Sequence, residues 1–441
     1  LTVKTTQGTT MLHTISSLLT RQTAAHGIHR CAALTAIAVP MLFATAQAQS
    51  QSLEGVIRQA LLDYPGIKAV NAGVMGAKAD IDRANGALMP TLSLNASANK
   101  IKESDADQKA MVTPWVTWSV PLNGRVRADI QRTESAAKVA DAKLQVTRDD
   151  IALQAAEAWL AVVRGQQMVQ LAQQNVAEHN AILGDIQKIV AVDAGRSLDL
   201  AQAQVRSDAA QTNLTQRQAE LKQAQEKLAR FTPDARQSAA FGRYPQLPKA
   251  VPADSQQALS AMTSPALAQA QAQFEEAQAR VQSAKALHNP TLDLSLGRQH
   301  LGAIAGAKTV ATATFSLPLY QGGQVDAGVR SAVAQATAAQ DTLAETELVV
   351  KERVRLAYAD LASAQARLSL AAQQRTSGSK LVSGYKEQFR LARRSLLDLL
   401  NIQSEYASYQ QAEALAQHDV KAAEYRITAA LGQLARSYSA Q

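Results

Sequence analysis

Two long stretches of this sequence contain no proline. None lies between Pro121 and Pro233, and none follows Pro318. Both stretches are rich in Ala, Gln, Glu, Lys, Arg and Leu, which are strong helix formers. The sequence therefore predicts long helices over residues 125–190, 196–230, 325–384 and 394–436. A helix of about 60 residues is about 90 Å long, which is typical of coiled coils and helical tubes rather than of globular domains.

One sequence pattern occurs twice, at a spacing of about 200 residues. Pro65 and Pro265 each begin a predicted helix, and the triplets 90–92 and 290–292 both read Pro-Thr-Leu. Prolines that recur in the same order indicate an internal repeat. The predicted first unit, 49–263, contains a β-hairpin at about 91–121 and helices over 125–230. The predicted second unit, 264–441, contains a hairpin at about 291–318 and helices over 325–436.

The residues after each Pro-Thr-Leu alternate between apolar and polar side chains. Every second residue of 91–99 is apolar, beginning with Leu92, and 310–317 follows the same period of two. The match is less strict in 114–120, where Val116, Trp118 and Val120 share a face. This period is typical of a half-buried strand, and about nine residues cross a bilayer in a tilted β-barrel. A pair of soluble surface hairpins is the alternative, but an isolated hairpin is marginally stable in water. The alternation therefore favours membrane strands.

Residues 1–48 are predicted to be a secretory signal. Arg21 and Arg30 precede an apolar run, and residues 46–48 read Ala-Gln-Ala, a small-x-small cleavage pattern. We expect residues 1–10 to be upstream translation, because Met11 is a suitable start. Removal of the signal takes away three basic residues and lowers the net charge from +8 to +5. A net charge of this size is too dilute to indicate a phosphate-binding surface. Cys31 lies inside the signal, so the exported chain is predicted to lack disulfides.

The number of strands predicts that several copies of the chain assemble. Two hairpins give four strands per chain, and open strand edges are not tolerated in lipid. Two copies would form a barrel of about eight strands that side chains fill, whereas three copies would form about twelve strands around an open lumen. A conduit therefore requires three copies of an α+β membrane protein.

These features together resemble the TolC family of outer-membrane efflux and secretion channels. The similarity spans 52–436 and includes SLPLYQGG at 316–323 and RSLLDLL at 394–400. It implies a homotrimer with one 12-stranded transmembrane β-barrel in the outer membrane of a Gram-negative bacterium, continuous with a long periplasmic α-helical barrel. It also implies a mixed belt formed by 231–263 and the C-terminal segment. The implied partners are outer-membrane lipid, a periplasmic adaptor (membrane fusion) protein and an inner-membrane ABC or RND transporter.

The resemblance further implies a closed periplasmic aperture at the helix turns. Asp398 takes the place of a ring carboxylate, where three like charges would attract cations and slow anions. Asn401 stands where the family often has a second aspartate, so a less acidic aperture is expected. Arg394 and Asp199 occupy positions of links that hold the helices shut, and Phe389 replaces a tyrosine without its hydroxyl. A solvated helix residue is the alternative for each.

Two tryptophans belong to the second strand of the first hairpin. Trp115 and Trp118 are candidates for an aromatic girdle at the membrane interface. Packing at the base of the barrel is the alternative.

An enzymatic function finds no support in the sequence. The histidines are isolated, without His-Glu-x-x-His spacing, a nucleophile elbow or a phosphate loop, so no catalytic residue, metal or cofactor is predicted. Basic residues do not interleave with aromatic ones, which excludes a nucleic-acid surface. The predicted function is a passive exit duct of a tripartite transport system. A periplasmic structural or adaptor protein is the rival, but adaptors carry one helical hairpin within β-rich domains.

The cargo is predicted from the turn between the two long helices of the second unit. Residues 393–400 resemble members that serve type I protein secretion, which favours export of an adhesin or toxin. The alternative is the outer-membrane component of a multidrug or metal efflux pump, because the same family serves both.

Overall fold

The computed structural model describes residues 52–97, 111–121, 124–232, 244–248, 250–260, 262–300 and 307–439. The predicted signal over 1–48 lies outside these ranges, as do residues 233–243 of the predicted belt. The α-helices of the described ranges are α1 Leu53–Asp63, α2 Pro65–Gly86, α3 Arg125–Val192, α4 Ser197–Ala229, α5 Ser255–Ser260, α6 Pro265–Lys285, α7 Gln324–Arg390, α8 Leu396–Ala430 and α9 Leu434–Ser439. The strands are β1 Thr91–Ser97, β2 Met111–Val120, β3 Thr291–His300 and β4 Ala307–Ser316. No helix in this part of the chain combines the length and apolar character needed to cross a membrane.

Two long helical hairpins account for most of the structure. The first hairpin is α3 packed along α4, and the second is α7 packed along α8. With 68 residues in α3 and 67 in α7, each of these helices is about 100 Å long at 1.5 Å per residue. Gly124 and Gly323 precede them with φ of 78° and 77°, a left-handed conformation that glycine adopts without steric cost. The predicted long helices are therefore present, and the same order of helix, two strands and two long helices occurs twice.

The predicted C-terminal ends of the two helices in the second hairpin, α7 and α8, were wrong. Helix α7 continues beyond residue 384 to Arg390, and the helix predicted to run to 436 stops at Ala430. Gly432 interrupts it with φ of 68°, and a Cβ there would lie only 2.5 Å from the carbonyl oxygen of Thr263. Because a side chain does not fit at this point, the chain turns and continues as the short helix α9.

The four strands form one antiparallel sheet in the order β1-β2-β3-β4. The two hairpins therefore join through β2 and β3. Leu92 pairs with Val116, Val116 with Leu296, and Leu296 with Ala311. Directly opposed residues of antiparallel strands share a face, so this row marks one face of the whole sheet.

The sheet has one apolar and one polar face. The apolar face carries Leu92, Leu94, Ala96, Val112, Pro114, Val116, Trp118, Val120, Leu292, Leu294, Leu296, Ala311, Ala313 and Phe315. The pattern changes beyond Leu296 and Ala311, where Arg298 and Thr309 lie on this face and Val310 lies on the other. The polar face carries Thr91, Ser93, Asn95, Thr113, Trp115, Thr117, Ser119, Asp293, Ser295, Gly297, Thr312, Thr314 and Ser316. In the single chain the apolar face is open, with Leu92 77% and Phe315 64% exposed. The outer edges of β1 and β4 have no partner strand among the described residues.

Three apolar clusters hold the helices together. The largest, which we call the waist cluster, joins α1, α3, α8 and α9 around Trp159, Leu160 and Tyr425. A second lies where both hairpins turn and is built around Ile186, Leu399 and Leu400. A third joins α5, α7 and α8. Since the second and waist clusters lie far apart along the helices, the two hairpins are packed together at two separate levels.

Candidate functional site

The five predicted aperture residues lie together at one end of the molecule. We call this end the tip; it comprises the turns 193–196 and 391–395 with the adjoining helix ends. Asp199 is in the first turn of α4, and Asp398 is in the first turn of α8. Phe389 is in the last turn of α7, and Arg394 is in the turn that follows. The second apolar cluster supports both turns from within.

Asp199 is paired inside its own turn. The Arg196 guanidinium donates from Nε to Asp199 Oδ2 at 2.8 Å, and its Nη2 lies 2.7 Å from the same oxygen. The Arg196 guanidinium carbon also lies 6.0 Å from the centre of the Phe389 ring, within reach of a cation–π contact. Within the chain, Asp199 thus acts on the second hairpin through Arg196 and Phe389.

Arg394 is held by its own hairpin. Its guanidinium lies over the Tyr385 ring, 4.6 Å from the ring centre, and its Nε donates to Gln388 Oε1 at 3.1 Å. Its Nη1 is 3.9 Å from Asp398 Oδ2. Tyr385 was not among the predicted residues, although it precedes Phe389 by four residues and so lies on the same helix face. The chain therefore keeps an aromatic residue beside Arg394 one turn earlier than expected.

Two polar contacts at the tip join one hairpin to the other. Lys386 of α7 forms an ion pair with Glu178 of α3. Arg206 of α4 donates from Nη2 to Asn401 Oδ1 of α8 at 3.0 Å. Neither Lys386 nor Glu178 was singled out from the sequence, because an isolated charge on a polar helix carries no local signal of its partner. These contacts, rather than Asp199 and Arg394, link the hairpins directly within the chain.

A groove of about 730 Å³ separates the hairpins at the tip. Its lining includes Glu178, Lys386, Arg196, Phe389 and Arg394. The charged contacts therefore border an open gap that lies beside the second apolar cluster.

The two turns have different backbones. In the first, Asp193 accepts a hydrogen bond from the backbone N–H of Gly195 at 3.0 Å. In the second, Ala392 has φ of 56°, which costs a non-glycine residue about 1–2 kcal/mol. Ser395 then begins α8 by accepting a hydrogen bond from the Asp398 N–H at 3.1 Å, which satisfies a free donor of the first turn.

One buried histidine lies beside these contacts. His179 follows Glu178 and is 3% exposed. Burial, followed by the nearby Arg206, lowers the pKa of its imidazole below the usual range, because removal from water disfavours the charged form. His179 is therefore neutral near pH 7.

The two tryptophans lie on opposite faces of the sheet. Trp118, on the apolar face, donates from Nε1 to the carbonyl oxygen of Leu88 at 3.0 Å, where α2 gives way to β1. Trp115, on the polar face, lies directly over Gly297 of β3. Both are candidates for an interfacial girdle, and the sheet register places them in different environments.

The described residues contain no group of three or more His, Cys, Asp or Glu side chains arranged to hold a metal ion.

The long hairpins and the two-faced sheet match a known family. The profile described as "Outer membrane efflux protein" matches residues 56–232 and 255–433, which make up most of the sequence. The chain belongs to the outer membrane efflux protein family. This outer membrane efflux protein is a channel of the Gram-negative outer membrane that extends into the periplasm, and no enzymatic activity is indicated. The predicted membership of the TolC-like channels is confirmed.

Several relatives of this efflux protein cover most of its length. The outer membrane efflux protein BepC of Brucella suis biovar 1 (strain 1330) is 24% identical over 400 residues, which are 88% of this chain and 86% of BepC. The outer-membrane channel OprN has a TM-score of 0.74 and 20% identity, covering 86% of this chain and 89% of OprN. The Campylobacter jejuni CmeC outer membrane channel has a TM-score of 0.75 and 14% identity, covering 86% and 85%. At these identities the two solved structures establish the fold.

Proposed function

We propose that this outer membrane efflux protein is a homotrimeric, passive exit duct of a tripartite transport system. The observation that carries the proposal is the sheet with an open apolar face and two unpaired edges. Unpaired backbone groups are costly in lipid. Joining β1 of one copy to β4 of the next would close about twelve strands around an open lumen. The apolar face would then contact outer-membrane lipid, and the long hairpins would continue the duct into the periplasm.

This arrangement assigns different roles to the two tryptophans. The polar face, with Trp115, would line the lumen. Trp118 would lie near the periplasmic interface of the bilayer, since its indole N–H is fixed at the junction of α2 and β1 and amphipathic rings favour such interfaces.

The tip would form the aperture at the periplasmic end. Asp398 supplies a carboxylate there, and Arg394 lies 3.9 Å away in the same hairpin. Asn401 is neutral and accepts a hydrogen bond from Arg206. An aperture formed by three copies would be less acidic than one that carried a second aspartate at position 401. Energy for transport would come from an inner-membrane ABC or RND transporter coupled through a periplasmic adaptor.

Fractionation and conductance test the proposed duct. The protein should enter the outer-membrane fraction as a trimer that dissociates only on heating, and the purified trimer should form pores in planar lipid bilayers. Recovery as a soluble periplasmic monomer would reject the duct and favour a structural or adaptor role.

The favoured cargo is a large unfolded protein, such as an adhesin or toxin exported by type I secretion. Support comes from the turn at 393–400, which resembles members that serve this route. Efflux of small molecules is the second candidate, supported by the family description itself. Deleting the gene and comparing the secretome with drug and metal sensitivity separates the two. Loss of one secreted protein without altered sensitivity supports secretion, and the reverse result supports efflux.

A further inference from the structure

Another groove lies between the β-sheet and the waist cluster, where α6 is flanked by α3 and α7. We call it the sheet-side groove; its lining residues fall in 131–138 of α3, 274–282 of α6 and 333–340 of α7. Each range covers about two turns, so the groove is about 10–12 Å long. Its volume is about 760 Å³, within the range of about 300–1,000 Å³ that is usual for ligand sites.

The sheet-side groove lies on the helix faces that carry the waist elements. Its α3 positions 131, 134, 135 and 138 recur three heptads later as 152, 155, 156 and 159, which belong to the waist cluster with α1 and α9. Its α7 positions 333, 336, 337 and 340 recur as 354, 357, 358 and 361, which pack against α5. Positions separated by whole heptads share one face of a long paired helix. Since α1, α5 and α9 would block an open lumen, this face is the outside of the proposed duct.

The same face is apolar at the waist and polar in the sheet-side groove. The four α3 positions are three alanines and Trp159 at the waist, but Gln131, Glu134, Ser135 and Lys138 in the groove. Within the part of the chain that the structure describes, no element covers the groove as α1 and α9 cover the waist. An apolar segment would leave these polar groups without partners, which costs free energy. The groove therefore suits an occupant that forms hydrogen bonds.

The charges of the sheet-side groove disfavour an anion. Lys138 Nζ lies 3.8 Å from Glu275 Oε2, and this ion pair joins α3 to α6. Glu134 is exposed and has no ion-pair partner in the described ranges. A phosphate or carboxylate would therefore meet a paired cation and an unpaired carboxylate. A neutral ligand whose hydroxyl groups donate to Glu134 fits this arrangement.

Neutral amides and one aromatic ring make up the rest of the polar lining. Carboxamides come from all three helices, through Gln131, Gln278, Gln282 and Gln340. Each offers two N–H donors and an acceptor oxygen, which match groups that both donate and accept, such as sugar hydroxyl and acetamido groups. The half-buried ring of Phe274 lies among them and offers a flat apolar surface to the C–H face of a sugar ring.

We infer that the sheet-side groove binds a short stretch of acetamido-sugar chain, as found in the glycan strands of the periplasmic cell wall. The inference rests on the proposed function, because the groove faces the periplasm when the helices surround a duct. Three copies of the groove would fasten the outside of the trimer to the wall. The site is separate from the tip and takes no part in conduction.

Calorimetric titration of the purified full-length protein with tri-N-acetylchitotriose tests the site. Phe274→Leu keeps an apolar side chain but removes the ring, and should weaken binding by up to about ten-fold. Gln278→Ala removes one set of hydrogen bonds and should weaken binding by about two- to ten-fold. The matched control is Gln273→Ala, because Gln273 is exposed on the same helix but does not line the groove. Melting temperatures of the variants show whether each one is folded.

Co-sedimentation with purified cell-wall sacculi identifies the source of the sugar. Wild-type protein and Gln273→Ala should sediment with intact sacculi, Gln278→Ala should sediment less, and muramidase digestion of the sacculi should release the bound protein. These results with the expected titrations support the inference.

Three outcomes would overturn the inference. They are an absence of sugar binding by the wild-type protein, equal binding by folded Phe274→Leu and Gln278→Ala, and binding of pentalysine in place of the sugar that is lost in Glu134→Gln. Failure of the proposed duct is seen separately, as an absence of pores in planar bilayers. The titration needs no pore, because α3, α6 and α7 of one chain form the whole groove.

Discussion

The contact between Trp115 and Gly297 fixes how the two β-hairpins meet. Gly297 is buried under the indole, and a Cβ at this position would lie 2.3 Å from Cδ2 and 2.5 Å from Cε3 of Trp115. The change Gly297→Ala should therefore force the ring off the polar face. Overpacking of this kind costs about 1–3 kcal/mol, and the cost falls on the β2–β3 pairing that joins the hairpins.

A double-mutant cycle isolates this contact. Gly297→Ala should lower the temperature at which the proposed trimer dissociates on a gel. Gly297→Ala combined with Trp115→Ala should lower this temperature by less than the sum of the two single changes. Residues in direct contact typically show coupling of about 0.5–3 kcal/mol. Gly328→Ala is the control, since a Cβ at this helical position meets no atom within 4 Å. Additive effects of the two changes would show that the indole of Trp115 does not limit the space at Gly297.

Three further changes test other parts of the structure. Asp398→Ala should lower the cation preference of the pore in bilayer recordings, because it removes a carboxylate from each copy; unchanged selectivity would exclude Asp398 from the constriction. Ala392→Gly should raise the unfolding temperature, since it relieves a left-handed φ of 56° that costs about 1–2 kcal/mol; no gain would show that the turn is unstrained. Burial raises the pKa of the Asp149 carboxyl. The hydrogen bond that this carboxyl accepts from the Ala435 N–H at 2.8 Å lowers the pKa, but by less than burial raises it. The folded state therefore holds this proton more tightly than the unfolded state, and stability falls as the pH rises from the ordinary carboxyl pKa through the raised one. Asp149→Asn keeps an acceptor and should flatten the melting temperature in that pH window, whereas an unaltered pH profile would assign the dependence to other groups.

Local patterns predicted the elements of this fold well. Helix propensity and the absence of proline predicted the long helices, since both act within a few residues of chain. The alternation after Pro290 predicted β3, which begins at Thr291. The end of α8 was missed, because Gly432 is constrained by Thr263 and Pro265, residues distant in sequence that only packing brings near.

The structure brings the candidate aperture residues close together, but their contacts could not be predicted from the sequence. The five aperture residues were identified through the two similar turns, and the structure brings them together at the tip. Their contacts depend on rotamers and on the distance between helices. The neighbouring sequence therefore gave no signal of three contacts. These are the ion pair of Arg196 with Asp199, the packing of Arg394 over the Tyr385 ring, and the ion pair of Lys386 with Glu178.

The order and approximate extent of the long helices, the alternation of the strands and the membership of an outer-membrane channel family could all be inferred from the sequence. The tertiary structure alone decided that β2 pairs with β3, which aligns the apolar sides of both hairpins on one face and places Trp115 on the other. It also decided which charges join the helical hairpins. Propensity and periodicity act between residues that are near neighbours along the chain. Strand register and ion pairing, in contrast, depend on groups that lie close together only after the chain has folded.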